Sequence, residues 1–131
     1  MAITAEIASA IEELTASFPS STVTAVEDGT GGAWVTVDPV ELGETYEPSN
    51  SWIGFHMTFG YPDADVYPHF VIPDLKRADH ADLGEGFGQT EWGPDGARAR
   101  ATQLSRRSNR WNPAFDNATV KLHKVLQWLT T

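Results

Sequence analysis

The stretch SWIGFHMTFGY, residues 51–61, alternates without a break. Ile53, Phe55, Met57 and Phe59 fall on one side of an extended chain, and Trp52, Gly54, His56 and Thr58 on the other. A period of two marks a strand with one face on a core, because successive side chains point to opposite faces. Slipping the register by one residue would bury His56 and Thr58 in place of Phe55 and Met57. The expectation is a strand whose Ile53, Phe55, Met57 and Phe59 face helices.

Working outward, STVTAVEDG (21–29) and GAWVTVDPV (32–40) are two more β-rich runs. Gly29, Gly31 and Gly32 separate them, which suits a hairpin with a loose turn. VYPHFVIPDL (66–75) reads as a fourth strand, and Pro68 and Pro73 predict that it is short or lies at an edge. Before the strands, Ile3, Ile7, Ile11, Leu14 and Phe18 recur at helical spacing, with Glu6, Glu12 and Glu13 turned away. Pro19 and the Ser20–Ser21 pair end that helix. Near the other terminus, Phe115, Ala118, Leu122, Val125, Leu126 and Leu129 form a second apolar stripe. Asn112 is the expected N-cap there, Pro113 the first helical residue, and Asp116 a first-turn acid complementing the dipole. Between strands and closing helix, residues 76–100 carry five glycines and no sustained period. A segment of that length without a pattern is read as irregular, and as functional or mobile. The fold class is α+β: an N-terminal helix, a four-stranded antiparallel meander, an irregular segment and a C-terminal helix, in a single domain over 1–131.

Composition narrows the function. The chain has 131 residues, about 40% of them hydrophobic, and five Trp, which argues for one folded domain. No apolar run approaches the ~20 residues of a membrane span, and no basic residue precedes the first apolar positions as in a secretory signal. The expected location is therefore cytoplasmic, with no membrane partner. There is no cysteine. Disulfides, thiolate metal sites and every thiol mechanism are excluded.

Charge is divided along the chain. Residues 1–75 hold twelve Asp or Glu and no Lys or Arg, whereas residues 76–131 hold nine Lys or Arg and six acids. A net charge of −9 repels phosphate backbones, so no nucleic-acid partner is expected. Arg98, Arg100, Arg106, Arg107 and Arg110 can still form a local basic patch. It either pairs with the acidic half or sits solvated, or it docks an acidic partner or a C-terminal carboxylate.

Three segments together carry a family resemblance: GYPDADVYPHFVIPDL (60–75), RADHADLGEGF (77–87) and QLSRRSNRWNPAFDNATVKLHKVLQWL (103–129). The Tyr61-Pro62 dipeptide, the Trp111-Asn112-Pro113 triplet before a closing helix, and Asp116 resemble the ubiquitin-conjugating (UBC) superfamily. More narrowly, they resemble the small prokaryotic proteins of that type found in bacterial ubiquitin-like conjugation systems. The N-terminal half matches only in the order of its elements. The two further prolines that follow Tyr-Pro in eukaryotic members are missing, with Asp65 and Val66 in that region. So is the His-Pro-Asn triplet.

The resemblance implies a UBC fold and, as partners, a ubiquitin-like protein and its activating enzyme. It implies no cofactor and no metal. Counting back from Trp111, the family's active-site cysteine would fall near Gln103, between Thr102 and Ser105, and none of these is a thiol. Two outcomes follow. The chain is a binding-only pseudoenzyme, with Arg106, Arg107, Arg110 and Trp92 as contact residues. Alternatively it carries an acyl group as an oxyester on Ser105, or on Thr102, with His80 as base, Asp79 or Asp82 orienting His80, and Arg106 or Arg107 stabilising the oxyanion. A third class, an RWD-like interaction module outside conjugation, shares the element order. Asp79, His80 and Asp82 also have the character of hard metal ligands but lack a fourth partner. His56 and His69 lie in expected strands and read as structural, His123 as exposed and inert. Trp34 and Trp52 read as core packing or sheet covering, and Trp111 as a plug against the core.

Overall fold

The computed structural model describes residues 2–130. Helix α1 spans Ala5–Ser17, and Thr4 caps it, its Oγ1 accepting the Ile7 N–H at 3.2 Å. That side-chain acceptor satisfies one of the donors a helix start leaves open. Ile7, Ala10 and Leu14 are its buried face. The helix stops at Phe18, ahead of Pro19.

Strands β1 (Thr22–Glu27) and β2 (Ala33–Glu41) form the expected antiparallel hairpin. Asp28 organises its turn, Oδ1 accepting from the Thr30 and Gly32 amides at 2.8 and 2.9 Å. Gly32 has no substitute here, since a Cβ would collide with the Asp28 carboxylate and the Met57 carbonyl. The remaining strands are β3 (Tyr46–Glu47), β4 (Asn50–Met57), β5 (His69–Val71), β6 (Lys76–Arg77), β7 (Phe87–Trp92) and β8 (Ala99–Leu104). Six of them make one antiparallel sheet in the order β1-β2-β4-β5-β8-β7, and β3 pairs with β6 in a small second sheet. Helix α2 (Ala118–Leu129) closes the chain. No helix among the described residues is long and apolar enough to cross a membrane.

Alternation in β4 resolves as expected over most of its length. Ile53, Phe55 and Met57 are buried with Val35, Val37, Val71 and Leu104 against Leu14, Leu122, Val125 and Leu129 of the two helices. Phe59 departs from it: β4 ends at Met57, the chain turns at 58–64, and Phe59 is 68% exposed.

Two other expectations are corrected, and a third resolves to one of its alternatives. Residues 76–100 are not irregular, because they supply β6, the whole of β7 and the start of β8. β7 is exposed along most of its length and so carries no apolar period to read. β5 is short, as its prolines predict, but it lies inside the sheet, between β4 and β8. Pro68 and Pro73 flank its three paired residues, so no ladder N–H is missing. Finally, α2 begins at Ala118 and its N-cap is Asn117, whose side chain accepts from Val120 N at 2.9 Å. Asn112 instead opens a separate turn, its side chain accepting from Ala114 N at 2.9 Å and its carbonyl from Phe115 and Asp116. Pro113 therefore lies in that turn, and Phe115 is 79% exposed outside the helical stripe.

Candidate functional site

The two motif segments meet in space. Trp111 Nε1 donates to the Pro62 carbonyl at 2.7 Å, and the Tyr61 hydroxyl accepts the Ala118 N–H at 3.1 Å, at the first residue of α2. Burial raises the Tyr61 pKa, keeping the phenol neutral. Asp116 closes the same corner, accepting from Asn112 N at 2.8 Å and from Lys124 Nζ at 3.2 Å. The Asn112 amide is the main reason its carboxyl titrates below the usual range. Between the two segments runs the chain 105–110, leaving β8 for that corner.

A groove of about 670 Å³ lies between residues 106–110 and α2. Arg106, Arg107, Arg110, Lys121 and Lys124 line it with Ser108, Asn109, Asp116, Gln127 and Trp128. Five cations face one acid among these residues. Arg106 stands over the Trp128 ring at 5.9 Å, and Arg107 over Tyr67 at 4.6 Å. Such stacking holds a guanidinium plane while leaving its N–H donors available. The basic patch anticipated from the sequence is thus a concave surface for Arg106, Arg107 and Arg110. Arg100 lies elsewhere, bound to Asp74 at 2.6 Å.

One wall of the groove is a polar cluster that sequence reasoning missed. Lys121 is only 2% exposed, and its Nζ donates to both oxygens of Asp65, at 3.1 and 3.2 Å, and to Ser108 Oγ at 2.8 Å. Ser108 in turn donates its hydroxyl to Asp65 Oδ1 at 3.2 Å and its amide to Asp65 Oδ2 at 2.9 Å. Burial pushes the Lys121 pKa down, against the pull of Asp65. A cation at this depth persists only with such a partner set. A signal was present: Lys121 sits three residues after Ala118 and four before Val125, on the apolar stripe itself. Its partners were not legible, being 56 and 13 residues away.

Ser105, Asp79 and Thr102, assigned to an oxyester mechanism, are held by other partners. Ser105 Oγ accepts from Gln103 Nε2 at 2.9 Å, and its amide is held by the Gly86 carbonyl at 2.7 Å. His80 is exposed in a left-handed turn (φ 66°) after β6, along a shallow groove with Leu75, Lys76, Arg77, Ala81, Asp82 and Leu83. Among the described residues no hydrogen bond joins Ser105 to His80. Asp79 does not orient His80 either. Arg77 grips both its oxygens, at 3.0 and 2.9 Å, and that pairing first, then the Ala81 amide, lowers its pKa to about 2. Thr102 is fully buried, exchanging hydrogen bonds with Gln89 and accepting the Leu75 amide, which places it beyond a substrate's reach. Among the described residues no three His, Asp or Glu side chains gather as a metal would require.

Trp92 occupies a different place from the one its glycine-rich surroundings suggest. It folds over the outer sheet face, stacked on Trp52 and Phe70 at 5.7 and 5.6 Å and edge-on to Trp34 at 6.0 Å. It is half-buried there, far from the groove in kind: an aromatic cover, not a charged wall. His56 joins that cover, stacked on Trp34 at 3.9 Å with Nε2 2.7 Å from Asp28 Oδ2. His123 is exposed and stacks on Phe18 at 4.9 Å. No protein-family model, curated protein or solved structure matches the chain.

Proposed function

We propose that this chain is a cysteine-free, ubiquitin-conjugating-like protein that works by binding, receiving a ubiquitin-like protein or its activating enzyme in the groove between residues 106–110 and α2. The observation that carries the reading is the charge of that groove. A chain of net charge −9 gathers five of its nine cations along one concavity; Asp65 and Asp116 hold Lys121 and Lys124, which leaves the Arg106, Arg107 and Arg110 guanidiniums to face a ligand. Scattered surface cations gain little from one another, whereas a concave set of them favours an acidic segment or a C-terminal carboxylate. The sequence resemblance supplies the class of partner, and the Tyr61–Ala118 and Trp111–Pro62 contacts agree with it by tying the resembling segments together. The lack of cysteine removes thioester transfer.

Calorimetry against a ubiquitin-like protein and an activating enzyme from the same organism tests this. Binding is expected, weakening steeply with salt because exposed charges are screened beyond about 8–10 Å at physiological ionic strength. Arg106→Glu with Arg110→Glu should abolish it. Absence of binding at both low and moderate salt refutes the reading.

A further inference from the structure

The groove holds more than charge. Ser108 is the one hydroxyl on its wall whose oxygen is bracketed by an ammonium and a carboxylate, accepting from Lys121 Nζ at 2.8 Å and donating to Asp65 Oδ1 at 3.2 Å. We infer that Ser108 is an acyl acceptor, attacking carboxyl groups activated as mixed anhydrides with phosphate, with Asp65 as base and Lys121 as the cation that stabilises the charge growing on Oγ.

Each part of that assignment comes from the geometry. A free serine hydroxyl is a poor nucleophile and needs a neighbour that takes its proton. Asp65 is already its hydrogen-bond acceptor, and the Ser108 amide on Oδ2 fixes the carboxylate in place. The buried Lys121 ammonium cannot turn away to water, so its dipole and charge are preset where alkoxide character develops. The leaving group is chosen by the rest of the wall. Arg106, Arg107, Arg110 and Lys124 line the same concavity, and a departing phosphate is the anion they complement. The step balances without a further reactant. Ser108 Oγ bonds to the acyl carbon, the bond from that carbon to the phosphate oxygen breaks, and its electron pair leaves with the phosphate. The hydroxyl proton passes to Asp65 and from there to the departing phosphate. The product is an acyl ester on Ser108. A reaction that adenylates or phosphorylates a carboxylate must supply such a substrate. The inference rests on the binding reading only for how an acyl-bearing protein reaches the groove.

Acetyl phosphate, a small anionic mixed anhydride, tests the chemistry with no partner protein. The intact chain is incubated with it, then analysed by mass and peptide mapping before and after hydroxylamine. One hydroxylamine-labile acetyl group on Ser108 is expected, absent in Ser108→Ala and formed at least tenfold more slowly in Asp65→Asn. Lysine acetylation resists hydroxylamine under mild conditions and is thereby told apart. Because Asp65→Asn could unsettle the fold, Ser108→Cys is the second variant, and it should acylate faster at the same position. Acetyl groups on lysines alone in the wild type overturn the proposal, and so does a Ser108→Cys chain that stays unmodified. Failure here leaves salt-sensitive calorimetric binding untouched, while normal acylation without protein binding refutes only the earlier reading.

Discussion

The six-stranded sheet carries one histidine on each face, and the two are kept by opposite means. His69, on the helix side, is fully buried against Phe55, and among the described residues neither ring nitrogen has a hydrogen-bond partner. His56, on the outer side, has Asp28 on Nε2 and Trp34 flat against its ring. The inner face is closed by aliphatic packing from two helices around the His69 ring. The outer face has no helix among the described residues and is closed by Trp34, Trp52, Phe70 and Trp92 lying on one another, with His56 paired to Asp28 at its margin. Hydrophobic burial does not by itself require a second layer of secondary structure. Large rings folded across a sheet are enough.

The comparison breaks first at Phe55. It is fully buried on the inner face, so Phe55→Ala should cost about 3–5 kcal/mol, read from denaturant unfolding. A cost near that of a surface substitution would mean the helices do not close this face as described.

The buried histidine and the carboxylate at the outer margin separate next by pH. Burial, with the Lys121 ammonium adding to it, lowers the His69 pKa to about 3, so the ring is neutral in the fold. The unfolded chain begins to bind that proton near pH 6.5, the fold only near 3. Stability from this group is therefore complete above 6.5 and falls with pH down to about 3, losing roughly 2 kcal/mol by about pH 5. Asp28 acts lower. Its burial alone would raise the pKa, but hydrogen bonds from His56, Thr30 and Gly32 outweigh that and hold it at about 2. Its contribution is complete above 3.8 and is lost only as pH falls from there towards about 2. Urea midpoints at about pH 7 and about pH 5 check the first window. His69→Leu should flatten that limb without weakening the protein at neutral pH, since it removes two unpartnered nitrogens.

How far the sequence revealed this arrangement depends on which face is considered. Alternation over 51–57 and the stripes of α1 and α2 made the inner face legible, because aliphatic periodicity is what an amphipathic element displays. Phe59 and Phe115 misled, each being an apolar residue in phase with an element that had already ended or not yet begun. β7 and β8 stayed hidden, since a hairpin with an exposed outer strand buries only Ala101, Thr102 and Leu104 among its strand residues. The role of Trp92 was hidden with them, because it depends on the hairpin folding back over β4. Of the candidate site, the arginines were legible as a run, 106, 107 and 110. Asp65, Ser108 and Lys121 were not, since their chemistry exists only once three segments meet.

The finest test of the outer face is Gly54. It lies beneath Trp92, and a Cβ there would collide with the edge of the indole ring. The inner face of the same strand is filled by side chains, whereas here the absence of one makes room for a ring from β7. Gly54→Ala should therefore push Trp92 off its stack on Trp52 and Phe70, costing about 1–2 kcal/mol. The ring's far end can move more easily than backbone, which keeps the cost below that of Phe55→Ala. Tryptophan fluorescence should change with it, while far-ultraviolet circular dichroism stays the same. The decisive comparison is a double-mutant cycle with Trp92→Leu, where the offending edge is gone. In that background the added methyl should cost less than half as much. An equal cost in both backgrounds would mean that Gly54 serves the backbone of β4 rather than the aromatic cover, and the contrast between the two faces would lose its clearest support.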